Sequence, residues 1–584
     1  MGWRGMGALA ALGCALLFAT GACGGDDDDG RDDDGTDDDG TASDASLPDA
    51  GVPDGAVDPP EADAAVDAAL PDAAVDAALP DAGVDAGVDG IAIDGVVTAD
   101  GFTQVRQGGS AELVITGREL GEVDTVLVGD IDGIVLSASP GEVRVDFFVP
   151  HGTAAGPRTV TVSGPGGSAS RADALELTFY IVAPAGTADG RGTYQSPISL
   201  CDLRDALPRL GDTASLLAGD HVCGFGTAME LPGGMTVAGA GSDVTVLRGA
   251  VGSFDGFRVG TEPGGFPSVF RGFTIEASAA GALILDGRVN LVADDLVIEG
   301  AGIIVQTDGF ATMTVTGLRQ SGPGIGIDGR GRMELTMTGS RFSDCTTGLL
   351  VRGGSADVTD TVFERCQLGV RGGFIDGGLS DPFVSVIDSE FVDDVIGVAV
   401  GRGFTSVSNS VFTDLEVTTQ ASQAGARVGF GTLYISGSEI SGMDQIGISV
   451  EGSGTTEGFA HAVVTNVTII GGPIGIQLGG FPDDETLAVR NSIVRDQTVA
   501  SVLATADGSF AIIDLGNDGG PGGNQLSVVS GVALLDARPD PFPGDDVMDC
   551  TGITLNGRTY SGLVEGAAES LPDYQITGSG ILQF

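Results

Sequence analysis

Two sets of residues in the back half of this 584-residue chain have types and spacing that could do chemistry. Asp344, Asp393, Asp414 and Asp496 recur just behind equivalent apolar residues, with Arg365 interposed in the same series. Arg330, Arg352, Arg371 and Arg402 each follow a recurring Gly-apolar phrase. Clustered carboxylates that hold calcium, with an arginine as base, would equip a calcium-dependent polysaccharide lyase; a hydrolase needs two carboxyl groups about 5–9.5 Å apart. The arginines alone offer a face for anionic or neutral polysaccharide. A plainer explanation covers both sets, because turns of any soluble coil carry Asp and Arg, and stacking turns it into ladders. Aromatic content favours that explanation. Trp3 is the sole tryptophan and tyrosines number five, so ring platforms for sugars are scarce, and the recurring phenylalanines are expected to face inward. The expectation is a non-catalytic protein with no catalytic residues, no metal site and no cofactor. Calcium is the one ion its aspartate runs could attract.

The elements that must position these residues are short strands. A phrase repeats along the chain: an alternating strand, a large apolar residue, an acidic turn, then glycine with an apolar pair. Its apolar anchors are Phe342, Phe363, Phe391, Phe412, Ile440, Ile469 and Val494, at spacings of 21, 28, 21, 28, 29 and 25. Periods of 20–30 built from strands point to a coil of β rungs, stacked about 4.8 Å apart so that each rung buries its neighbour. Arg271–Ile275, Val289–Ile298 and Thr312–Thr316 fit the same scheme less regularly. Ahead of them, Ser196-Pro197 reads as a helix N-cap, predicting a short helix with Leu200, Leu203 and Leu207 on one side, stopped by Pro208, that covers the open end of the coil.

Charge narrows the partners. The formal net charge is −55, from 82 acidic and 27 basic residues, and every one of the 27 is arginine. So acidic a chain repels phosphate backbones, which excludes nucleic acid as a partner, and without lysine neither a P-loop nor a Schiff base can be built. Residues 1–22 read as a secretory signal: Arg4, the short apolar run Ala8–Ala19, then small residues. Residues 23–90 form a low-complexity Asp/Ala/Pro tract; 24 acids and one arginine lie between Cys23 and Asp100, and such a segment is expected to stay disordered and extended. From 91 to 183, short β-branched runs at regular spacing suggest an immunoglobulin-like sandwich. Residues 184–540 form the coil and 541–584 a β cap region. The expected fold class is all-β: a right-handed parallel β-helix preceded by that sandwich and the disordered acidic linker.

Three resemblances add to this. Thr20-Gly21-Ala22-Cys23 resembles the lipobox of bacterial lipoproteins, although Thr20 stands where most members carry Leu. It implies lipidation of Cys23 and a membrane contact through the N-terminal lipid, and Gly24 in place of Asp implies an outer-membrane, cell-surface address; the alternative is ordinary secretion after cleavage near Ala22. Val114-Ile115-Thr116-Gly117 with Leu120, then Val149-Pro150, then Arg158–Ser163 with Gly164-Pro165-Gly166-Gly167-Ser168, resembles the IPT/TIG family of immunoglobulin-like modules, which act as spacers or binding domains. Ser196–Leu207, Gly211–Val222, Gly234–Gly241 and the late turns Asp514-Leu515-Gly516 and Gly522-Gly523-Asn524 resemble a DUF1565-like group of parallel β-helix surface proteins, with Ile198 where those favour Phe. Together they imply a surface-displayed structural or adhesion lipoprotein whose partner is a polysaccharide or a cell-surface protein.

The cysteines are read from spacing. Cys345 and Cys366 share the 21-residue interval of Phe342 and Phe363, so they occupy the same place on adjacent rungs; a disulfide and a pair of reduced, half-buried thiols both fit. Cys201 and Cys223 are expected to form a disulfide that staples the cap helix to the first rung. Cys550 is left over, and His151, on the turn after Pro150, reads as a loop residue.

Overall fold

Alternation of apolar and polar residues from about residue 92 builds strands in nearly every segment of the computed structural model. The structure describes residues 90–584 except 188–189, 207, 225–227, 250–254, 262–264, 278–280, 307–308, 374–380, 416–423, 430, 452–458, 480–484, 506–511, 518–519, 538–546, 566–572 and 577–580. The signal, Cys23 and the acidic tract up to residue 89 lie outside the described residues, as does Leu207.

Eight strands between Ala92 and Thr178 form a mostly antiparallel sheet that closes over one core, including Leu113, Ile115, Val145, Phe147 and Val162. The chain then passes directly into a parallel β-helix. Tyr180–Val182 pairs with Thr213–Leu216 of the first turn. At this junction Asp212, fully buried, accepts the backbone N–H groups of Gly152 at 3.1 Å and Arg209 at 2.8 Å and meets His151 Nδ1 at 2.7 Å. His151 thus joins the two modules.

Each regular turn has three strands, as in Arg332–Thr338, Arg341–Ser343 and Thr347–Val351. We call the stacks they form the long, short and third walls; among the described residues the third is a 14-stranded parallel sheet. On turn after turn the two corners flanking the short wall take a left-handed residue. Between the long and short walls stand Gly339 (φ 60), Asp360 (φ 50), Asp388 (φ 50) and Asn409 (φ 52). The residues that follow, Ser340, Thr361, Ser389 and Ser410, are buried, and their hydroxyls bond from turn to turn: Thr361 N–H donates to Ser389 Oγ at 3.3 Å, Ser389 N–H to Ser410 Oγ at 3.3 Å. This internal hydroxyl ladder satisfies backbone groups that the corner takes out of the sheets.

The anchors form one interior column. Phe342, Phe363, Phe391 and Phe412 pair in register and are 0% exposed, with ring centroids 5.3, 5.1 and 4.5 Å apart. Ile440, Ile469 and Val494 continue the column. The repeated glycine has its reason here: a Cβ on Gly348 would lie 2.4 Å from the Phe363 ring, and one on Gly397 2.6 Å from Phe412.

The cap differs from the expected helix. Ile198 exchanges backbone hydrogen bonds with Ile181 and Ala183, holding the start of the segment extended. Residues 200–206 then turn, mostly through i to i−3 bonds (Asp202 to Ser199, Leu203 to Leu200, both 3.2 Å). Ser199, not Ser196, accepts the N–H of Asp202. Too little chain remains to propagate a helix, yet Leu200 and Leu203 are still buried in the solenoid core. The structure holds Cys201–Cys223 and Cys345–Cys366 as disulfides.

Candidate functional site

Asp344, Arg365, Asp393, Asp414 and Asp496 occupy the corner between the short and third walls, all with φ between 52 and 67. Asp tolerates this conformation better than most side chains, so backbone geometry explains why acids recur there. Arg365 binds Asp344 through two bonds, Nε to Oδ1 at 2.8 Å and Nη2 to Oδ2 at 3.0 Å, and these hold the Asp344 carboxyl below its ordinary pKa. Asp394, next to Asp393, points the other way. It is fully buried, Oδ1 accepts Cys366 N–H at 2.7 Å, and burial pushes its pKa up to about 8. Among the described residues no group of three His, Cys, Asp or Glu side chains is placed to hold a metal ion.

The arginines do not form one column. Gly329 pairs with Val351, so Arg330 and Arg352 align one residue beyond their strands. Arg371 is still inside the strand Leu368–Gly372 and pairs with Leu350 and Ala399. Arg402 comes two residues after Val400, which pairs with Gly372. The repeated phrase looks uniform in sequence, but its arginines fall at three register positions: Arg371 two residues before that of Arg330 and Arg352, and Arg402 one residue after it. Arg427, which sequence spacing did not single out, pairs with Ala399 and so stands two turns from Arg371 in the same column. Burial, then Arg352 and Arg427, lower the Arg371 pKa.

These arginines meet acids of their own chain. Asp328, 1% exposed, accepts Arg330 Nε at 2.6 Å and lies 3.9 Å from Arg352 Nη2. Arg402 pairs with Asp381 at 2.6 Å and Arg427 with Glu451 at 2.9 Å. Beside Asp328 opens a cleft of about 450 Å³, walled by Ala277, Ile304, Pro323 and Ile325 and edged by Arg330.

A third feature lies outside the long wall. Phe383 and Phe404 stack at 4.9 Å with planes 5° apart; Tyr434 stacks on Phe404 at 4.9 Å, and His461 meets Tyr434 edge-on at 6.2 Å. Phe383 is 46% and Tyr434 40% exposed. The anchor phenylalanines face inward as expected; Phe383 and Phe404 belong to a second set that the repeat did not single out. Alternation carries the signal: in Phe383-Val384-Ser385-Val386-Ile387 the two valines face the core, which turns Phe383 outward.

No protein-family model and no curated protein matches the chain. Among solved structures it is similar to the catalytic unit of a thermostable GH87 alpha-1,3-glucanase from Streptomyces thermodiastaticus strain HF3-3, at 13% identity over 76% of this chain and 90% of that one, TM-score 0.37. It is also similar to the A-module of the Azotobacter vinelandii mannuronan C-5 epimerase AlgE4 (14% identity, 63% and 91% covered, TM-score 0.23) and to pectate lyase Pel9A (14%, 57% and 78%, TM-score 0.19). Likeness at this level carries nothing about activity.

Proposed function

We propose that the protein is a non-catalytic surface lipoprotein of structural or adhesive role, displaying its β-helix toward a polysaccharide or a cell-surface protein. Cys23 carries the lipid at the outer membrane, the acidic tract spaces the folded part from it, and an IPT/TIG-like module leads into the β-helix. One observation supports the non-catalytic part of this reading: the charged columns are committed to the fold. The aspartates of the second corner meet a demand for left-handed backbone, and Arg330, Arg365, Arg402 and Arg427 each bind an acid of their own chain. Labelling cells that express the full chain with an alkynyl fatty acid tests the anchor; the label and membrane retention are expected to vanish with Cys23→Ala. Reducing-end release or unsaturated product from any polysaccharide, with calcium added, would overturn the non-catalytic reading.

A further inference from the structure

The long wall turns a hydroxyl-bearing face toward solvent. One outward column runs Thr314, Thr336, Asp357, Ser385 and Ser406 on successive turns. Beside it Thr338 and Thr359 continue the pattern, two residues along the same strands. Strand geometry sets these hydroxyls about 4.8 Å apart along the axis and about 7 Å apart across it. The aromatic ladder edges this lattice: Phe383 pairs with Phe404, two residues from Ser385 and Ser406. Among the described residues Phe383 is its last ring. Phe404 covers one face, and the residue beneath the other is the small Ser355. Burial lowers the pKa of His461 at the far end, where it meets the Thr486 hydroxyl.

The geometry points to this face as a binding site for an uncharged polysaccharide, with Phe383 as the stacking platform. The inference rests on the display role proposed above and names its ligand class. A pyranose offers an apolar C–H face ringed by hydroxyls, and an open aromatic ring beside fixed hydroxyls answers both parts. Charge selects against the other glycans. The protein carries a net −55, which repels a polyanion, while Asp357 is the one charge in the hydroxyl columns named here.

Affinity electrophoresis of the full chain through gels containing hydroxyethylcellulose, galactomannan or soluble starch tests this, with polygalacturonate as the charged comparison. At least one neutral polymer is expected to retard the protein and polygalacturonate is not. Phe383→Ala is expected to weaken binding about tenfold, Phe383→Tyr to retain it, and Arg371→Gln to leave it unchanged. Retardation by polygalacturonate alone, by no neutral polymer, or undiminished in Phe383→Ala overturns the proposal. Failure here leaves lipidation of Cys23 and membrane retention standing, because the fatty-acid label reads those separately.

Discussion

The same stacking motif stands on both sides of the solenoid shell. Inside, Phe342, Phe363, Phe391 and Phe412 stack with planes 7–9° apart and no exposure. Outside, Phe383 and Phe404 stack just as flatly, yet Phe383 is 46% exposed. Parallel, in-register strands impose the stacking on both, since identical side chains on neighbouring rungs must meet one strand spacing apart. Burial separates them. The inner rings replace water with the opposing glycine column and hold the coil shut; the outer rings gain little from each other and are available to a ligand. Stacking by itself therefore says nothing about purpose.

Substitutions can break or sharpen that contrast. The largest effect is expected at the inner column: Phe363→Ala leaves a cavity between two rings and should cost about 3–5 kcal/mol in denaturant unfolding. Phe404→Ala should cost no more than about 1 kcal/mol, the scale of a cross-strand pair. Equal losses at the two sites would erase the distinction.

The neighbouring acids Asp393 and Asp394 repeat the contrast with carboxylates. Burial raises Asp394 from 3.8 to about 8, so the folded state holds a proton that the unfolded chain gives up. Its contribution is full below 3.8 and is lost as pH rises through about 8. Asp394→Asn should flatten the decline in urea midpoint across that range, and an unchanged slope would place the titration elsewhere. The smallest effect is expected at the outer corner. Asp344→Gly relieves the left-handed backbone while losing an exposed ion pair, two terms of about 1 kcal/mol or less that oppose each other. A thermal midpoint within a few degrees of wild type fits a turn role.

Much of this was legible in the chain. The seven anchors were readable as one column because large apolar residues behind short strands recur at 21 to 29 residues, and variable loop lengths do not disturb register inside a parallel stack. The left-handed corners were visible only as aspartates recurring in turns, without the backbone conformation that selects them. The buried hydroxyl ladder at Ser340, Thr361, Ser389 and Ser410 had a signal, a Ser or Thr two residues before each anchor phenylalanine, but a polar residue there reads as surface until its hydrogen bonds are known. The arginines were misaligned because sequence spacing counts residues, whereas register counts backbone pairings, and a difference of one or two residues moves a side chain to a different column.

Composition and period alone determined that this protein is all-β, coiled and strongly acidic, because hydrophobic burial every rung and net charge are sums over residue types. Which side of the shell each ring, acid or arginine occupies was decided by tertiary structure. That choice depends on alternation within strands whose ends are set by hydrogen-bonded neighbours, and those neighbours lie more than twenty residues away along the chain.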